Sequence, residues 1–131
     1  MFVFFHSRKL LVSLDNRQIV IYDLNNLPKP IITRDCLLKY NTRPLCALAD
    51  GTGYIAGSVE GRVGVEYFSE SKTPFSFRCH RKTDPYGVEV VYPVNAIAVH
   101  PVYGTFATGG ADGTVCIWDA DAKKRLAIFS E

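Results

Sequence analysis

The chain has 131 residues, 47% hydrophobic, 21% charged and 12% aromatic, a globular balance that excludes wholesale disorder, collagen and coiled coil. Fifteen Lys and Arg against thirteen Asp and Glu leave a formal charge of +2, too little for a nucleic-acid binder that works through bulk charge. The longest apolar runs, such as Met1 to Phe5, are about five residues against the roughly 20 that span a bilayer, so no membrane span is expected; that run also lacks the basic leader and longer apolar core of a secretory signal.

In chain order, the apolar residues fall in short β-branched and aromatic runs: Phe2–Phe5, Leu10–Val12, Ile19–Tyr22, Tyr54–Ala56, Val63–Phe68, Val94–Val99, Thr105–Thr108 and Val115–Trp118. Polar or glycine turns separate them at Asp15-Asn16-Arg17, Asp50 to Gly53, Glu60-Gly61-Arg62 and Asp112-Gly113. Nowhere do apolar residues recur at helical spacing between cap signals. Many short strands with regular turn signals predict an all-β protein. Cys36, Cys46, Cys79 and Cys116 are scattered without CxxC spacing, which reads as buried thiols in a reducing nuclear or cytosolic compartment and not as a disulfide framework or zinc site.

Three segments repeat one pattern of strand, tight turn, strand, then an aromatic beside an acid: Leu11 to Asp23, Ala56 to Tyr67 and Ala107 to Asp119. Taking Asp23, Tyr67 and Asp119 as equivalent gives spacings of about 44 and 52, which bracket the period of a four-stranded propeller blade with loop insertions. The third segment resembles a WD repeat, with Trp118-Asp119 as its signature pair and Asp112-Gly113 as the two-residue hairpin turn, where glycine takes positive φ at little cost. Trp118 is expected to bury its ring against the neighbouring blade. Tyr92-Pro93 stands near the place of the Gly-His dipeptide that usually precedes such a repeat, and Tyr22-Asp23 and Glu66-Tyr67 replace Trp-Asp in the other two.

The fold expected is therefore a WD-repeat β-propeller with about three four-stranded blades over residues 1–131, divided near 2–40, 41–86 and 87–131. Three blades are too few to close a ring, since propellers use about four to eight. The chain is accordingly expected to be a fragment of a larger propeller, with unclosed apolar faces carrying Phe4, Val20, Ile117 and Phe129.

Enzyme-like fragments have plainer readings. Gly51-Thr52-Gly53 with Gly57 is not followed by a helix that could aim its amides at a phosphate, and in Gly57-Ser58-Val59-Glu60-Gly61 the serine is not central, as a nucleophile elbow requires. His6, His80 and His100 read as structural imidazoles; Cys79-His80 has no second pair to complete a metal site of about four donors. No catalysis, cofactor or metal is expected.

Four ordered strings carry a closer likeness: Leu38-Lys39-Tyr40-Asn41-Thr42-Arg43, Ser58 to Tyr67, Phe77-Arg78-Cys79-His80-Arg81 and Tyr92 to Ile97. Together they resemble the mitotic, or spindle-assembly, checkpoint proteins of the budding-uninhibited-by-benzimidazole family. A messenger-RNA export paralogue that binds a nucleoporin GLEBS segment shares several of them. The resemblance implies a seven-bladed propeller acting as a non-enzymatic scaffold in the nucleus, at kinetochores of mitotic chromosomes and in the cytosol. Its partners would be checkpoint kinases with acidic GLEBS motifs and a kinetochore scaffold protein phosphorylated on MELT repeats, with no direct nucleic-acid or membrane contact. On that resemblance Arg43 contacts the GLEBS peptide, and Arg62 and Arg78 match the basic pair expected at phosphothreonine. Arginine suits both roles because its planar guanidinium donates two parallel hydrogen bonds to a carboxylate or phosphate.

Overall fold

The computed structural model describes the backbone of residues 2–6 and 8–130 and the side chains from Arg8 to Ser130. Four antiparallel strands in sequential order form the first sheet: β1 (Phe2–His6), β2 (Lys9–Ser13), β3 (Gln18–Asp23) and β4 (Pro30–Asp35). The second contains β5 (Thr42–Ala47), β6 (Gly53–Ser58), β7 (Arg62–Tyr67) and β8 (Phe75–Arg78). A two-stranded ribbon, β9 (Arg81–Thr83) with β10 (Glu89–Val91), precedes the third sheet of β11 (Val94–Val99), β12 (Thr105–Gly110), β13 (Thr114–Asp119) and β14 (Lys124–Ser130). Tyr86 and Gly87 lie in the turn of that ribbon. No helix among the described residues is long and apolar enough to cross a membrane.

The first strands of the three sheets are neighbours, with β5 between β1 and β11, so the sheets radiate from a common edge as blades of an all-β propeller. Register explains the sequence periodicity. Asp23 pairs with Lys9, Tyr67 with Gly53 and Asp119 with Thr105, each at the start of the second strand of its blade. The three residues taken as equivalent in the repeats therefore occupy one structural position.

Both faces of the middle blade are covered. Successive side chains of a strand alternate between faces, and in β6 Tyr54 and Ala56 join Leu11, Ile19, Ile21, Cys36 and Leu38 of the first blade. Ile55, from the opposite face of β6, joins Val63 and Val65 of its own blade against Val94, Phe106, Cys116 and Trp118 of the third. Every residue of β6 is buried, which is why this strand carries no polar alternation. At about 1.5–3 kcal/mol for each large apolar side chain buried, these two seams supply most of the driving force for folding.

The outer faces differ from expectation in one respect. Phe129 is 60% exposed and its cross-strand partner Val115 is 44% exposed, while Ile117 is half-buried, so the third blade does present an apolar face. Val20, expected to be exposed on the first blade, is only 7% accessible: it lies in a central strand between its paired neighbours Val12 and Thr33. The side chains of Phe4 and His6 lie outside the described residues.

All four cysteines are buried and free. Burial pushes the thiol of Cys36 up to about 11 and that of Cys79 up to about 12, so neither forms a thiolate near neutral pH. Both are expected to resist alkylation by iodoacetamide in the folded chain and to react once it is unfolded, as mass spectrometry of trapped samples would show.

The seam between the second and third blades is closed at Gly57, where a Cβ would lie 2.8 Å from both Pro44 Cγ and Val94 Cγ1. Gly57→Ala should cost about 1–3 kcal/mol through overpacking. Because the clash is partly with Val94, the penalty should shrink in a Val94→Ala background, a coupling that a double-mutant cycle by chemical denaturation measures directly.

Candidate functional site

The loops at the β2–β3, β6–β7 and β12–β13 turns share one end of the molecule with the connections between blades. At this end Arg62, the first residue of β7, is the cross-strand partner of Arg78, the last residue of β8. Directly opposed residues of an antiparallel pair point to the same face. That face is identified two residues along β7, where a Cβ on Gly64 would meet the Leu38 side chain at 3.2 Å. Arg62 and Arg78 thus look toward the segment that joins the first blade to the second. Arg43, the second residue of β5, lies at the same end, since its neighbour Thr42 pairs with Ser58 and Asn41 O accepts from Val59 N at 3.0 Å.

The turn that presents Arg62 is braced. Gly61 takes φ of +65°, and its carbonyl accepts from Cys79 N at 2.9 Å and from Arg81 Nε at 3.2 Å. Arg81 also donates to Glu60 O at 3.0 Å and pairs with Glu89 at 3.1 Å. Arg62 itself meets only the Glu60 carboxylate, at 3.7 Å, while Arg43 and Arg78 are exposed and have no hydrogen-bond or ion-pair partner among the described residues. Two like charges on directly opposed strand positions are unfavourable unless an anion lies between them. The arrangement offers guanidinium donors to such an anion.

Beside this surface stands a buried polar network. His80 follows β8, and its Nδ1 lies 2.9 Å from Asp112 Oδ1 and 3.1 Å from Thr114 Oγ1, while its Nε2 lies 2.8 Å from Thr108 Oγ1. Trp118 Nε1 donates to the same Thr108 hydroxyl at 2.9 Å. The indole is 8% exposed, with Phe77 of the second blade at a ring-centroid distance of 4.6 Å. Asp112 also accepts from Thr114 N at 3.1 Å, and Gly113 takes φ of +77° to complete the turn. Asp119 caps the next turn by accepting from the amides of Asp121 and Ala122. Gly110 is required for room: a Cβ there would collide with the His80 ring.

No family model matches the chain. It is 49% identical over 129 residues to the mitotic checkpoint protein BUB3.1 of Arabidopsis thaliana, covering 95% of the chain and 38% of that protein. To the protein Rae1 of Drosophila melanogaster it is 41% identical over 122 residues, covering 88% of the chain and 35% of Rae1. The solved structure of U3-55K matches with a TM-score of 0.76 at 10% identity, covering 95% of the chain and 36% of that structure, which shows the fold. The chain is WD-repeat propeller and resembles the BUB3 proteins. It spans somewhat over a third of the length of the curated relatives it matches.

The WD-repeat network explains what sequence reading missed. His80, not Tyr92-Pro93, stands where the Gly-His dipeptide of a WD repeat is expected. The β9–β10 ribbon is inserted between His80 and β11, which pushes the imidazole away from the strand it serves in sequence but not in space. Cys79-His80 was the available signal. Arg81 and Thr108 were also missed, because a strand hydroxyl and an arginine at the start of a short ribbon carry no mark of their partners. His100 has a different duty, its Nδ1 accepting from the amides of Val102 and Tyr103.

Burial alone would raise the Asp112 carboxyl, but hydrogen bonds from Thr114 and His80 outweigh it and hold the group below its ordinary value. A depressed folded-state pKa means that the carboxylate contributes stability above its unfolded value of about 3.9, and that this contribution is lost as pH falls through the folded value. Asp112→Asn should lower stability at neutral pH and flatten the acid limb of a plot of denaturation midpoint against pH.

Proposed function

We propose that this chain forms part of a non-enzymatic scaffold of the spindle-assembly checkpoint that recognises phosphorylated and acidic peptides. The observation that carries the reading is the directly opposed Arg62–Arg78 pair, set on a braced turn with no carboxylate of the described residues nearer than 3.7 Å to Arg62. Similarity to the mitotic checkpoint protein BUB3.1 supports the biological setting. In this reading Arg62 and Arg78 hold the phosphate of a phosphothreonine in the MELT repeats of a kinetochore scaffold. Arg43, at the same end, contacts an acidic GLEBS segment of a checkpoint kinase. Phosphorylation acts as the switch because it adds close to two negative charges and three strong acceptors. The protein would work in the nucleus, at kinetochores of mitotic chromosomes, with a cytosolic pool.

A second reading rests on the 41% identity to Rae1: an adaptor for messenger-RNA export that binds a nucleoporin GLEBS segment. Affinity capture from mitotic extract separates the two, with checkpoint kinases retained in the first case and a nucleoporin in the second.

Isothermal titration with a phosphothreonine peptide and its unmodified twin tests the phosphate site. The phosphorylated peptide should bind more tightly, and Arg62→Ala or Arg78→Ala should remove about 2–5 kcal/mol of that binding as a partner of a desolvated charge pair. Equal affinity for the two peptides would sink the proposal.

A further inference from the structure

The end of the molecule opposite the arginines carries a cavity of about 320 Å³ between the second and third blades. Its apolar lining includes Ile55, Val99 and Phe106. Asp50, Tyr67, Lys72 and Asp121 supply the polar part, so two carboxylates face one ammonium on a chain whose overall charge is +2. The volume is at the small end of ligand sites and suits a single large side chain.

The two carboxylates differ in how they are engaged. Asp50 accepts from the Thr52 hydroxyl at 2.6 Å and from Thr52 N at 3.0 Å, and it feels the charge of Lys72, whose ammonium stands 5.1 Å from the centroid of the Tyr67 ring. One half of the cavity therefore already holds a cation over an aromatic face beside a carboxylate. The carboxylate of Asp121 is exposed and has no hydrogen-bond or ion-pair partner among the described residues. It is placed by its neighbours: Asp121 N donates to Asp119 Oδ1 at 3.0 Å, and Gly104 leaves room, since a Cβ there would lie 3.2 Å from Asp121 Oδ2. Tyr67 feels both acids, its hydroxyl being raised by burial and then by the charges of Asp121 and Asp50.

We propose that this cavity binds an arginine side chain of a partner protein, with the guanidinium on Asp121 and the aliphatic stem along the apolar lining. Charge complementarity selects a cation. A planar guanidinium can pair with a carboxylate through two parallel hydrogen bonds, and its stem tolerates apolar surroundings. The site is independent of the phosphopeptide reading, because it lies at the other end of the second blade, between it and the third, and uses none of the same side chains.

Titration of the isotopically labelled chain with N-acetyl-arginine methylamide, followed by amide chemical shifts in NMR, tests the site, with the neutral N-acetyl-norleucine methylamide as comparison. The arginine probe should give saturable shifts centred on Gly104 and Asp121 and should bind more tightly than the norleucine probe. Asp121→Asn should weaken it by up to about five-fold. Gly104→Ala, which changes no charge but pushes the Asp121 carboxylate aside, should also weaken it. Equal binding of the two probes, or unchanged arginine binding by an Asp121→Asn variant with a native-like spectrum, would overturn the proposal.

Discussion

No blade here has a core of its own; each buries its apolar face only against the next. That constraint organises the rest of the molecule. β5 lies between β1 and β11, so the middle blade is covered on both sides and its strands lose the polar alternation that a one-faced sheet would show. The third blade, covered on one side, keeps Val115 and Phe129 exposed on the other. Repeat proteins behave this way because each repeat contacts only its neighbours, and stability sums intrinsic repeat terms and nearest-neighbour interfaces.

The two seams solve the same packing problem with different chemistry. Between the second and third blades, Trp118 packs on Phe77 and spends its indole N–H on Thr108, whose hydroxyl also faces His80. Between the first and second, the corresponding position on β7 is Glu66, paired with Tyr54 as Trp118 is paired with Phe106. The aromatic bulk has moved one strand over, and Leu38 covers the space above Gly64. Tyr54 OH and Glu66 Oε2 are buried without a hydrogen-bond partner among the described residues. Burial first, and then the Glu66 carboxylate, pushes the tyrosine hydroxyl up, so it stays protonated. A satisfied network thus fixes one seam, whereas apolar filling with a poorly satisfied polar pair serves the other.

The fold was legible in the sequence because its signals are local. Turn residues at Asp112-Gly113 and Glu60-Gly61 and the common position of Asp23, Tyr67 and Asp119 depend on strand periodicity and hairpin geometry alone. Trp118 was legible for the same reason. His80 was legible as a structural imidazole, but its place in the WD-repeat network was not, because its partners Thr108, Asp112 and Thr114 come from the following blade and the ribbon from Arg81 to Val91 interrupts the usual order. Val20 was misjudged because strand pairing shields a central position even where no further blade covers it. The arginines were marked by resemblance to checkpoint proteins, but only the pairing of β7 with β8 shows that Arg62 and Arg78 stand opposite each other. The cavity had no sequence signal, since Asp50 and Asp121 belong to unrelated turns that only blade packing brings together.

The propeller geometry separates these surfaces without any further device. Each strand crosses the blade once, so its two ends emerge on opposite sides of the molecule, and a single strand such as β7 starts at Arg62 and finishes at Tyr67. Arginines gather at one end of the middle blade, and at the opposite end the third blade places the Asp121 carboxylate, without a partner among the described residues, although the chain as a whole is close to neutral. Fields from exposed charges fall off within about 10 Å at ordinary salt, less than the length of a six-residue strand at about 3.3 Å per residue. The two ends can therefore favour ligands of opposite charge at the same time. The packed seams on either side of β6 keep both surfaces in fixed register, so the recognition proposed at either end would need no rearrangement of the sheet that joins them.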